Sequence, residues 1–149
     1  MENVLFTPVT LWEGFDYNLP LDTTVLKEYI EDGEHFREVY CSGREIGDSR
    51  VRIYGLFAFN EGESGLPCML LGDCDKGPDI ELMKYVCGRG YCVFMPDYSG
   101  EKSDCPRFTV YPQVVDYANY QRCGRHLEYA DTTARETCWY EWTATARYA

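Results

Sequence analysis

Basic residues are scarce in this chain: 14 lysines and arginines stand against 25 aspartates and glutamates, a net charge of −11 over 149 residues. A protein that grips nucleic acid needs a basic footprint to displace the counterions of the phosphates, so this balance excludes that class of partner. Long apolar runs are missing as well. No stretch is long enough to span a membrane. The start, Met1-Glu2-Asn3-Val4-Leu5-Phe6-Thr7-Pro8, has neither the basic end nor the apolar core of a signal peptide, and a cytoplasmic location is the expectation. Histidine is limited to His35 and His126, far apart in sequence, and no C-x-x-C pair occurs. That spacing does not build a structural zinc site, and nothing in the sequence calls for a metal or a cofactor.

What is present is a chain of single-domain length, with 45% apolar residues and enough aromatics to bury a core. One domain over residues 1–149 is expected, with residues 1–33 as an irregular N-terminal arm. Cysteine is the compositional oddity, at positions 41, 68, 74, 87, 92, 105, 123 and 138. Cys68 lies in the run Pro67-Cys68-Met69-Leu70-Leu71, and Cys92 lies in Tyr91-Cys92-Val93-Phe94-Met95. In such runs a thiol acts as a small buried hydrophobe, so reduced, inaccessible sulfurs are expected at Cys68, Cys87 and Cys92.

The pattern predicts an α/β protein. Pro20 to Ile30 holds a short helix or an extended arm. His35 to Cys41 and Arg50 to Phe59 alternate as strands, joined by a loop from Gly43 to Asp48 into an antiparallel hairpin. Leu66 to Leu71 is a short continuous apolar run, which suits a strand covered on both faces. Pro78 fits the first position of a helix, whose first turn carries Asp79 and Glu81. Ile80, Met83, Val86 and Cys87 share one face of that helix, and Gly88 and Gly90 stop it. Tyr91 to Met95 is a second apolar run. Strand, helix and strand within about thirty residues make a βαβ unit and a parallel strand pair. Beyond Gly100 the chain wanders, with a short helical turn expected near Val114 to Tyr120. A last helix is announced by the capping box Thr133-Ala134-Arg135-Glu136, with Trp139, Trp142 and Ala146 on one face.

The segments Pro67 to Cys74, Gly88 to Gly100 and Trp139-Tyr140-Glu141-Trp142, taken in order, resemble the first half of the α/β-hydrolase fold. The likeness is to its acetyl xylan esterase-like and acyl-peptidase-like branches, over about Val51 to Ala149. The resemblance implies a partial hydrolase fold: a mixed sheet of an antiparallel hairpin plus a parallel βαβ unit, with flanking helices and strand order one, two, four, three, five. It implies a serine hydrolase of carboxylic esters, acetyl esters of carbohydrates among them. It also implies that the backbone N–H of Cys74 is an oxyanion-hole donor. The family reads His-Gly before that donor, where this chain reads Gly72-Asp73.

The family's Gly-x-Ser-x-Gly, and the acid and histidine that follow it, have no counterpart here. Ser64, in Gly62-Glu63-Ser64-Gly65-Leu66, is out of spacing, and Ser99 sits in a strand-end turn. His35 and His126 read as structural. The expectation is therefore a truncated, scaffold-forming half of a hydrolase, inactive alone. The competing readings are a non-catalytic protein-interaction module of the same fold and a small cysteine-dependent enzyme using Cys74. Loss of the nucleophile strand exposes the Leu66 to Leu71 edge and part of the surface under Trp139 and Trp142. Self-association through that edge or that helix is expected, with a small ester substrate only in a longer parent protein.

Overall fold

A computed structural model of the chain describes residues 18–72, 77–97 and 107–112, together with residues 5, 7, 9–14 and 16. Among the described residues a single 3-10 turn, Thr10–Trp12, is followed by five strands and one α-helix in chain order: β1 Thr24–Glu31, β2 Glu34–Ile46, β3 Ser49–Asn60, β4 Cys68–Leu70, α1 Ile80–Cys87 and β5 Cys92–Pro96. They form one mixed sheet in the order β1-β2-β3-β5-β4. The first three strands and β5 pair antiparallel in sequence across the sheet, while β4 and β5 run parallel with α1 between them in the chain. The α/β character and the βαβ unit expected from the apolar runs are thus present.

Three details differ from the sequence reading. Within the supposed irregular arm, Thr24–Glu31 is a strand. Its turn is Asp32-Gly33, both at positive φ (54° and 95°), the backbone of a two-residue type I′ hairpin. This strand hides from pattern analysis because it lies at the sheet edge, mostly exposed, and because its register shifts between Val25 and Lys27. Second, the loop expected at Gly43 to Asp48 shrinks to Gly47 and Asp48. The strands run on to the pair Ile46 and Ser49 and absorb the extra residues as a register shift between Ser42 and Glu45. Third, β4 is not covered on both faces: Cys68 and Met69 are exposed and Leu70 is half-buried. Among the described residues no strand pairs with its outer side.

The helix α1 follows from its sequence. Asp79 is its N-cap, accepting the Leu82 N–H at 3.0 Å, so Pro78 precedes the cap instead of opening the helix. Met83, Val86 and Cys87 are buried, and Ile80 packs beside them. Gly88 keeps a right-handed backbone at the C-cap, and Gly90, at φ 81°, supplies the left-handed turn into β5. Lys84 reaches from the helix to the β1–β2 turn, 2.7 Å from Glu31 and 2.6 Å from Asp32. Its bonds to Asp32 and Glu31 push its pKa up.

Alternation along the strands splits the core between two faces. On the helix side, Phe36, Leu56, Ala58, Val93 and Met95 meet Met83, Val86 and Cys87. On the other side, Val39, Cys41 and Phe94 pack with Leu21, Phe57 and Leu70. Gly55 is required on this second face. A Cβ there meets Phe94 Cε2 at 2.5 Å and the Pro96 Cα at 3.2 Å. Gly55→Ala gains about 0.5–1 kcal/mol of strand propensity but overpacks a buried ring at about 1–3 kcal/mol. The expected net is a loss of about 1–2 kcal/mol, read as a lower urea midpoint at unchanged slope. A variant as stable as the parent shows that Phe94 moves aside freely.

Candidate functional site

In sheets with parallel strands, ligands gather beyond the carboxyl ends of those strands. Here that end is marked by Gly72, just after β4, and Asp97, just after β5. Among the described residues nothing lies within 4 Å of where a Cβ on Gly72 would stand. Asp97 is buried, with 8% of its surface exposed. Its carboxylate accepts the Thr109 N–H at 2.7 Å. The Thr109 hydroxyl donates to the Asp97 carbonyl and accepts the Tyr54 N–H at 3.1 Å. The Asp97 N–H in turn donates to the Tyr54 carbonyl at 2.8 Å. This network ties residues 107–112 to the sheet. Val110 bridges Arg52 through backbone bonds of 2.9 and 2.8 Å, and the Tyr40 hydroxyl donates to the Phe108 carbonyl at 3.0 Å. Arg107 pairs with Glu38 alongside. Thr109 is an anchoring residue that sequence reasoning missed, since nothing in its run of aromatics and prolines links it to an aspartate upstream. As a set, these groups anchor the chain beside the strand ends.

A concavity of about 270 Å³ opens on the sheet face away from α1. Its walls include Arg37, Phe57, Phe59, Ser64, Leu66 and Cys92. Arg37 lies over the Phe59 ring at 4.7 Å and donates from Nε to Glu28 at 2.9 Å. His35 stacks on Phe59 with centroids 5.2 Å apart, its Nδ1 3.9 Å from Glu28 and its Nε2 3.7 Å from Glu61. The imidazole is therefore stacked on an aromatic face with two carboxylates within 4 Å, while its buried Nε2 makes no hydrogen bond among the described residues. Among the described residues no hydrogen bond joins a serine to a histidine, so none of them supplies Ser64 with a histidine base.

Cys41, Cys68, Cys87 and Cys92 are free thiols. Three are buried, but Cys68 is exposed, against the expectation drawn from its apolar run: the outer side of β4 has no cover among the described residues. Burial pushes the Cys41 thiol up, and pushes Cys87 up to about 11. Cys68 is pushed up to about 12, by desolvation first and then by its bond to Cys92. Thiols held protonated in this way are poor nucleophiles at neutral pH. Among the described residues no group of three or more His, Cys, Asp or Glu side chains is placed to hold a metal ion, and no helix is long and apolar enough to cross a membrane.

No family model matches the chain, and no curated protein matches it. Among solved structures, an acetyl xylan esterase from Paenibacillus sp. R4 is similar at a TM-score of 0.45 and 20% identity. The match covers 63% of this chain and 31% of the esterase, so the chain spans about a third of that protein's length. Cys74, Ser99, His126, the turn expected near Val114 to Tyr120 and the helix expected with Trp139 and Trp142 lie outside the described residues.

Proposed function

We propose that this chain is the scaffold-forming N-terminal part of a serine hydrolase acting on carboxylic esters, acetyl esters of carbohydrates among them, and that it does not turn over substrate alone. The observation that supports this reading is the sheet order. Strands β2-β3-β5-β4, with β4 and β5 parallel and joined through α1, follow the one, two, four, three order that the sequence resemblance implies. In this reading the loop after Gly72 carries the oxyanion donor, the N–H of Cys74. The outer side of β4 receives the nucleophile strand in the longer protein and a second copy when this chain stands alone.

The alternative, a non-catalytic interaction module, draws on the same open edge of β4 and the concavity beside Phe57 and Phe59. Two measurements separate them. The chain itself is expected to hydrolyse p-nitrophenyl acetate no faster than a matched non-enzymatic protein, and to resist labelling by a fluorophosphonate. Stoichiometric labelling of Ser64 overturns the claim of inactivity. The coding sequence downstream of Ala149 is expected to continue into a strand followed by Gly-x-Ser-x-Gly. A downstream sequence without that motif overturns the hydrolase reading and favours the module.

A further inference from the structure

The parallel register sets Cys68 of β4 directly opposite Cys92 of β5, on the sheet face away from α1. The neighbouring pair in that register and on that face, Leu70 and Phe94, is packed together, so the two sulfurs share one side of the ladder. Both cysteines are free, one exposed at the sheet edge and one buried behind it. The Cys92 sulfur is held in place, 3.8 Å from the Leu66 carbonyl and 3.7 Å from that of Pro67, and the Cys92 N–H donates to the Pro67 carbonyl at 3.1 Å. Adjacent strands stand about 4.7–4.9 Å apart, inside the span of about 4.4–6.8 Å between the Cα atoms of a disulfide. β4 is three residues long and bonded on one side only among the described residues, so it yields the small adjustment that closure needs.

We infer that Cys68 and Cys92 form a reversible modification site, closing an intramolecular disulfide between β4 and β5 when a small-molecule disulfide such as oxidised glutathione is the oxidant. The exposed partner reacts first. The Cys68 thiolate attacks one sulfur of oxidised glutathione, forming a mixed disulfide and releasing one glutathione thiolate, which takes up a proton. The Cys92 sulfur, on losing its own proton, then attacks the Cys68 sulfur and expels the second glutathione. Two protein thiols are oxidised, and one glutathione disulfide is reduced to two thiols. Desolvation first, and then the contact with the Cys92 sulfur, keeps Cys68 protonated and slows the first step, so the reaction belongs to mildly alkaline conditions. Once the adduct forms, the register presents Cys92 at a local concentration that no other thiol among the described residues matches.

The test incubates the whole folded chain with oxidised glutathione at mildly alkaline pH, quenches with acid, alkylates the remaining thiols and maps peptides by mass spectrometry. The expected product is the Cys68–Cys92 linked peptide, about tenfold more abundant than any other pairing, and dithiothreitol returns both thiols. Cys92→Ser is expected to stall at a glutathione adduct on Cys68. Should that buried change impair folding, the exposed Cys68→Ser serves instead, and there Cys92 is expected to remain a thiol. Three results overturn the assignment: alkylated Cys68 and Cys92 after treatment of the parent chain, a lasting adduct on Cys68 in the parent, or oxidation of Cys92 in Cys68→Ser as fast as in the parent.

Discussion

Replacing Phe36 with alanine is expected to cost about 3–5 kcal/mol of folding stability. Phe36 on β2 is fully buried, at the centre of the cluster that joins the sheet to α1. Its register partner on β3 is Ala58, also fully buried, so a large ring fills the space a small residue leaves. Its partner on β1 is Tyr29, whose ring stacks on it at 5.2 Å with the planes 13° apart. Truncation removes apolar area and leaves a void that Ala58 cannot fill, while the tyrosine loses the surface that holds it on an edge strand. Domains of this kind have about 5–15 kcal/mol in total, so the loss is a large share. With a urea slope near 2 kcal/mol/M, the midpoint should fall by about 2 M. Phe59→Ala supplies the comparison, since that ring is half-buried on the opposite face between Arg37 and His35. Its loss should be well under half as large. Equal losses at the two positions contradict a core centred on the α1 face.

The helix and β5 were legible in the sequence for a plain reason: the helix buries one face and β5 both, and their composition reports it. Ile80, Met83, Val86 and Cys87 fall on one side at helical spacing, and Cys92–Pro96 is buried at every position. β1 was illegible because an edge strand has little core to face. Only Tyr29 among its large apolar residues joins the core, while Val25 and Ile30 stand exposed. Its one strong signal was Asp32-Gly33, a turn pair that sets a two-residue hairpin. β4 misled in the other direction. An apolar run reads the same whether a strand lies inside a sheet or at its border, so Cys68 looked buried and is not. The candidate site was less legible still. Asp97 meets Thr109 across a stretch with no period, and that partnership exists only because residues 107–112 return to Arg52 and Tyr54.

That returning segment carries the last prediction. Asp97→Ala is expected to destabilise the chain by about 2–4 kcal/mol. The carboxylate accepts the Thr109 N–H at 2.7 Å in a buried setting. A bond to a charged acceptor contributes about 1.5–3 kcal/mol, and an amide left buried without a partner costs about 1–3 kcal/mol more. Relief from burying the charge offsets part of this, which keeps the sum below the two terms added. The damage should be local before it is global. Without the carboxylate, Thr109 is held only through its hydroxyl, by the Asp97 carbonyl and the Tyr54 N–H. Amide exchange should therefore accelerate at Thr109 and Val110 more than at Val93 or Met95 in the core of β5. Asp97→Asn keeps an acceptor oxygen at the same place and should recover about half of the loss, because a neutral acceptor is roughly half as strong. Thr109→Val tests the other half of the network. It keeps the shape but removes the hydroxyl that accepts from Tyr54 and donates to the Asp97 carbonyl. If Asp97→Ala leaves exchange at Thr109 unchanged, the carboxylate does not hold the returning segment. The anchoring role then rests on the backbone bridge between Arg52 and Val110, the Thr109 hydroxyl, the Tyr40 bond to the Phe108 carbonyl and the Arg107–Glu38 pair.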